Sequence, residues 1–77
     1  MEQAQKKRLM VDVIEASLGR KATEENLQLI VRSIQNMSPD TDAIATTLKR
    51  LRMAIRLLID EDLAEDVYQE CRTIADA

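Results

Sequence analysis

The chain contains no histidine, tryptophan or phenylalanine, and one residue each of glycine, proline, cysteine and tyrosine among its 77. Each scarcity excludes something. Without histidine there is no ordinary base to activate a serine or cysteine nucleophile, and zinc sites want about four ligands, of which the soft ones are nearly missing. One cysteine cannot form an intrachain disulfide. A sheet of several strands needs repeated turns built on Gly, Pro, Asn or Asp, and only two stretches are rich enough in them. No apolar run approaches the ~20 residues that span a bilayer; the longest, Met53 to Ile59, is broken by Arg56. Lys6, Lys7 and Arg8 have no uninterrupted apolar run behind them, so a secretory signal is not expected and a cytoplasmic location, in a bacterium or phage-infected cell, is.

What is present is an apolar fraction of 45%, almost wholly aliphatic, with 11 basic and 14 acidic side chains. Ala, Leu, Ile, Met, Glu, Gln, Lys and Arg dominate, the residue menu of an all-α protein. The length suits a single small domain covering residues 1–77.

Four helices are legible, at about 2–18, 24–37, 39–59 and 62–75. In the first, Leu9, Met10, Val11, Val13, Ile14 and Leu18 spread over half of the helical wheel, an arc wide enough to need more than one neighbour. Gly19 follows, suited to the left-handed conformation that closes a helix. Thr23 reads as an N-cap with Glu24 and Glu25 at the positive end of the dipole. Leu27, Ile30, Val31, Ile34 and Met37 then form one core-facing stripe, leaving Leu29 on the opposite side beside Gln28 and Arg32. Ser38-Pro39-Asp40 predicts the third start, with Ser38 as N-cap and Pro39 at the first helical position. Ile44, Leu48, Leu51, Ile55 and Leu58 repeat at spacings of 4, 3, 4 and 3, a heptad seam widened by Met53, Ala54, Leu57 and Ile59. Extending that seam would bury Asp62, Glu65, Gln69 and Arg72, so the stripe changes phase to Leu63, Val67, Cys71 and Ile74. Asp62 and Glu65 have capping-box spacing for a fourth helix, although the absence of Gly or Pro after Pro39 leaves one long drifting helix as the rival.

Few residues offer chemistry. Cys71 lies in an apolar stripe and reads as an inert, buried thiol. Asp40-Thr41-Asp42 and Asp60-Glu61-Asp62 lack the Gly and distal Glu of a calcium loop and read as helix-start charge. Carboxylate pairs such as Glu61/Glu65 and Asp62/Asp66 belong to a solvated face. No catalytic residue, cofactor, metal or small-molecule substrate is expected. Lys49, Arg52 and Arg56 share one face of the third helix, Arg50 lies on another, and no acidic residue falls between Ala43 and Ile59. That basic face is expected to meet the acidic stretch Asp60 to Asp66, within the chain or across a dimer. DNA is disfavoured: Asp40 and Asp42 would repel phosphate, the sequence pI is about 4.8, and no aromatic residue but Tyr68 can stack on bases. The same acidic balance opposes anionic membranes.

The aliphatic content exceeds what four short helices readily hide, since domains this small bury only ~60% of their chain surface alone. A homodimer completing the core is therefore expected, with Met10, Ile14, Ile44, Leu48, Leu51, Ile55 and Leu58 as core or dimer positions. Leu51→Asp should dissociate or unfold it.

From Val13 to Leu58, the order Gly19-Arg20, Thr23 through Leu27, a helix, the Ser38–Asp42 loop and a further helix resembles the small enterobacterial two-component connector proteins. In that family a Gly-Arg or Gly-Asp turn precedes a Ser/Thr/Asn-capped helix. The match covers about 46 of 77 residues, and nothing beyond Ile59 aligns. The resemblance implies a short, helical, dimeric, non-enzymatic regulator that binds a response regulator and affects biofilm or acid-stress genes. It carries over no functional residue.

The expectation is thus an all-α antiparallel bundle of three to four helices completed by homodimerisation, acting as a regulatory or adaptor protein. Leu29, Arg32, Lys49, Arg52 and Arg56 are the candidate partner-binding residues, and charge reversal at Arg52 and Arg56 should abolish partner capture. The alternatives are a small DNA-binding transcriptional regulator, and a phage or secretion-system assembly component.

Overall fold

The apolar periodicity is realised as four helices in the computed structural model, which describes residues 1–77. They are α1 (Gln3–Leu18), α2 (Glu24–Gln35), α3 (Thr41–Leu58) and α4 (Glu61–Ala75). Each packs on two neighbours, in the ring α1–α2–α3–α4–α1. Short connections make successive helices antiparallel: the start of α1 meets the ends of both α2 and α4, through Lys7 with Gln35 and Lys6 with Ala75. The molecule measures 29 × 17 × 17 Å, and its long dimension is about that of α3 at ~1.5 Å per residue. No helix is long and apolar enough to cross a membrane.

Fourteen buried apolar side chains form one core. Helix α1 supplies Met10, Ile14 and Leu18, and its wide arc is used as the wheel implied, with Val11 and Val13 packing toward the flanking helices. Ile30, Val31, Ile34 and Met37 enter from α2 and its end, Ile44, Leu48, Leu51 and Ile55 from α3, and Ala64, Val67 and Cys71 from α4. Leu58 departs from the seam and is 50% exposed. A strict heptad drifts by about 20° per repeat on a straight helix, and Leu58 is the last residue of α3, where the seam has turned partly out of the core. Met53 and Leu57, expected to widen the core stripe, face solvent.

The folded chain exposes 4917 Å², close to the roughly 4,800 Å² that surface-to-mass scaling gives a monomer of this size. The ring of four helices encloses one core within the chain and leaves Leu29, Met53, Leu57 and Leu58 exposed.

Helix ends differ from their sequence signals in instructive ways. Thr23 caps α2 as expected, its Oγ1 accepting from the Asn26 amide at 3.1 Å. Gly19 does not adopt the left-handed conformation; its φ of −56° and ψ of −31° continue the right-handed helix. A Cβ there would lie 2.6 Å from the Glu15 carbonyl oxygen, so close backbone approach is what glycine permits. Helix α3 starts at Thr41 rather than Pro39, with Asp40 at the N-cap. Ser38 forms a local turn instead, its Oγ accepting from the Asp40 amide at 3.5 Å. Helices α3 and α4 are separate, parted by Ile59 and an extended Asp60. Asp60, not Asp62, is the α4 cap: its Oδ1 accepts from the Asp62 and Leu63 amides at 2.8 and 3.1 Å. The helix thus stops without a Gly or Pro, because a side chain captures the next helix's free amides.

The other oxygen of Asp60 accepts from Lys21 Nζ at 2.8 Å, tying the α3–α4 connection to the α1–α2 connection. The Lys21 hydrogen bond, helped by the Leu63 amide, holds the Asp60 carboxyl below its ordinary range, while the same bond holds Lys21 above its own. A depressed carboxylate stabilises the fold above its unfolded pKa, and that contribution disappears as pH falls through the folded value, below about pH 4. The raised lysine acts oppositely, its contribution being lost only as pH climbs past about 10.4. Asp60→Asn keeps an amide-capping oxygen and removes the ion pair. Thermal melts between about pH 2 and 6 should show a shallower acid-side loss of stability in this variant than in the parent; equal slopes would mean the pair does not contribute.

Candidate functional site

The one thiol is withdrawn from solvent. Cys71 is 1% exposed on the inner face of α4, and burial, with the charge of Glu70 adding, pushes its thiol up to about 11. At pH 8 such a group holds about a hundredfold less thiolate than an ordinary cysteine. Disulfide reagents should therefore label it only as fast as the protein opens, so labelling in native buffer at the free-thiol rate would contradict this placement. No three His, Cys, Asp or Glu side chains gather in a metal-holding group.

The basic residues of α3 divide between two faces. On the α4 side, Arg56 pairs with Glu61 at 3.2 Å and Arg52 with Glu65 at 3.5 Å. The Arg52 guanidinium also lies 4.2 Å from the centroid of the Tyr68 ring. This is the within-chain meeting of basic and acidic stretches that the sequence anticipated. Such exposed pairs contribute only about 0–1 kcal/mol each, and a cation over an exposed ring about 0.5–1 kcal/mol. Their larger consequence is that Arg52 and Arg56 are already neutralised, so reversing them perturbs the α3–α4 seam directly. Lys49 lines the same open groove, with Met53 and Ala64, and has no ion-pair partner.

The α2 side is different. Helices α2 and α3 share the least extensive of the four helix interfaces, and an open groove of about 340 Å³ runs between them. Its cause is side-chain size. At ~100° per residue, Thr47 and Ala54 fall on the flank of α3 that meets α2, and Ser33 falls on the reciprocal flank of α2. These three small residues leave a channel above buried Ile30, Met37 and Leu51. The Ser33 hydroxyl is satisfied within α2, donating to the Leu29 carbonyl at 3.0 Å, so it adds little polarity to the floor.

Leu29 on α2 and Arg50 on α3 form the rims. Leu29 is 53% exposed, and Leu57 and Leu58, one turn beyond Ala54, are 74% and 50% exposed. Apart from Met1, every exposed large apolar side chain of the protein lies on α2 or α3. None of the ten groove residues is acidic, and Arg50 has no ion-pair partner. Arg32 stands next to Leu29 on the outer surface of α2 and is likewise unpaired, with Glu24 and Glu25 at the far end of that surface.

The five candidate partner-binding residues are thus not one surface. Leu29 lines the α2–α3 groove, Arg32 lies beside it on the outer surface of α2, and Lys49, Arg52 and Arg56 lie across α3 beside α4. The neighbour of Leu29 is Arg50, which the helical wheel had set apart. Of the core candidates, Met10, Ile14, Ile44, Leu48, Leu51 and Ile55 are buried, and Leu58 is not. Arg50, Ser33, Thr47 and Ala54 were not singled out, because their association depends on the register between two helices. Comparison with known proteins gives no match: no family model, curated protein or solved structure is similar to this chain.

Proposed function

We propose that this chain is a small non-enzymatic regulatory or adaptor protein that binds another protein through the α2–α3 groove. One observation carries the reading: every large apolar side chain left exposed, Met1 apart, lies on α2 or α3, and Leu29 stands at the rim of a groove floored by buried Ile30, Met37 and Leu51. Exposed apolar patches of this kind mark interaction sites, and a channel between two helices is the form that helix-in-groove recognition takes. A regulator acting by contact is also what the resemblance to connector proteins implies. DNA binding draws no support from the charge distribution, since Arg52 and Arg56 sit beside the carboxylates of α4.

The test is partner capture from the source cells, followed by affinity measurement on the purified pair. Leu29→Lys with Leu57→Lys should abolish binding while leaving stability within about 0.5 kcal/mol, as surface changes usually do. Undiminished affinity in that variant would remove the groove from consideration, and loss of affinity on reversing Lys49 alone would move the site to the α3–α4 face.

A further inference from the structure

We infer that the occupant of the α2–α3 groove is an acidic amphipathic helix belonging to a different protein; this rests on the groove being the binding surface. The groove supplies a floor of buried apolar side chains and one cation, Arg50, at its rim, with Arg32 beside Leu29 on the outer surface of α2. Arg32 on α2 and Arg50 on α3 are both without ion-pair partners, and no carboxylate occurs on α3 after Asp42. A complementary surface must therefore carry aliphatic knobs to enter above Ser33, Thr47 and Ala54, with carboxylates beside them to meet the two arginines.

A second copy does not meet that requirement. Docking the groove on itself brings the unpaired arginines of the two copies together, a like-charge juxtaposition. Docking it on the acidic outer face of α4, where Asp62 and Asp66 lie, supplies charge but no knob, because α4 exposes no large apolar side chain. The surface that joins carboxylates to an exposed leucine, Glu24, Glu25 and Leu29 on α2, includes the rim of the groove itself, so a copy docked through it would cover its own groove. Nor does an extended strand fit, since a strand gains its affinity from the unpaired backbone of a sheet edge, and helix backbones are already paired. A helix is left, aligned along the groove with aliphatic residues at i, i+3, i+4 and i+7.

The experiment uses the full chain, isotopically labelled for amide NMR. The probe is a synthetic helical peptide of about 15 residues with leucine at those positions and glutamate elsewhere, long enough to form a helix when docked. Its twin replaces every glutamate with lysine. The acidic peptide should shift the amides of Leu29, Ser33, Thr47, Arg50 and Ala54, and its affinity should fall with added salt. Affinity should drop at least about tenfold for the lysine twin, and as much for an Arg32→Glu/Arg50→Glu chain whose melt is unchanged.

Equal binding of both peptides would overturn the acidic partner and leave the groove standing. Peptide-induced shifts confined to other helices, or no shift at millimolar peptide, would overturn both. Groove shifts that appear on concentrating the chain alone would identify a second copy as the occupant. Co-sedimentation with vesicles of equal phosphatidylglycerol and phosphatidylcholine, without peptide binding, would identify a membrane instead.

Discussion

Leu51→Asp should yield an unfolded chain, not a folded monomer. Leu51 is 6% exposed, in the middle of α3, and only its edge reaches the groove floor. Removing a buried leucine costs about 2–5 kcal/mol, and a carboxylate in its place is either ionised without a partner or forced neutral, at several kcal/mol more. A chain of this length has roughly 4–12 kcal/mol of total stability, at 0.05–0.15 kcal/mol per residue. The substitution therefore consumes most or all of it. Far-ultraviolet circular dichroism should show lost helicity and no cooperative melt at any protein concentration. Leu57→Asp, at a position 74% exposed, is the control and should melt within about 0.5 kcal/mol of the parent. If Leu51→Asp sediments as a helical, cooperatively melting monomer, Leu51 belongs to an interface between chains and the packing of α3 has been misassigned.

The second large effect concerns a lysine. Lys6, Met10, Ile14 and Leu18 are the four buried residues of α1, at steps of four, so Lys6 occupies the end of a core stripe. Its Nζ donates to the Ala75 carbonyl at 2.9 Å. That oxygen is among the four at the end of α4 that no helical amide reaches, and it lies at the negative end of the helix dipole. Lys7 repeats the arrangement on the other neighbour, donating to the Gln35 carbonyl at the end of α2 at 3.0 Å. Two cations that do nothing for the start of α1 therefore close the ends of the two antiparallel helices beside it.

Lys6→Met keeps the stem and removes the charged donor. It should cost about 1.5–3 kcal/mol, the range for hydrogen bonds to charged groups, and lower the melting temperature by roughly 4–8 °C for each kcal/mol. Lys7→Met, at a more exposed bond, should cost about 0.5 kcal/mol or less. Amide exchange in the last turn of α4 should accelerate in the first variant only. Equal and small effects from the two substitutions would show that burial of Lys6 carries no stabilisation.

Sequence signals failed at particular residues for identifiable reasons. Pro39 is acceptable both at a first helical position and in the turn before one, so Ser38-Pro39 permits two starts for α3. The later start places Met37 and Ile44, on either side of the connection, in the core together. Asp60 and Asp62 are equally good caps by type, and the one whose second oxygen reaches Lys21 across the bundle is the one used. Leu57 and Leu58 read as core because they extend an apolar arc, and only the positions of the neighbouring helices determine where that arc runs out. Ala64 offered no signal at all, a small residue whose burial follows from the approach of the helices.

The helical class, the approximate limits of the segments and most of the residues that turn inward were legible because they depend on periodicity and capping, which operate over a few residues, whereas the separation of α3 from α4 was not. Interhelical register decided the rest. It brings Lys6 and Lys7 to the ends of α4 and α2, neutralises Arg52 and Arg56 against α4, and leaves Arg32 and Arg50 unpaired. It also aligns three small side chains from two helices into one groove. Such pairings join residues far apart in the chain, and their geometry exists only once four apolar stripes have packed against one another.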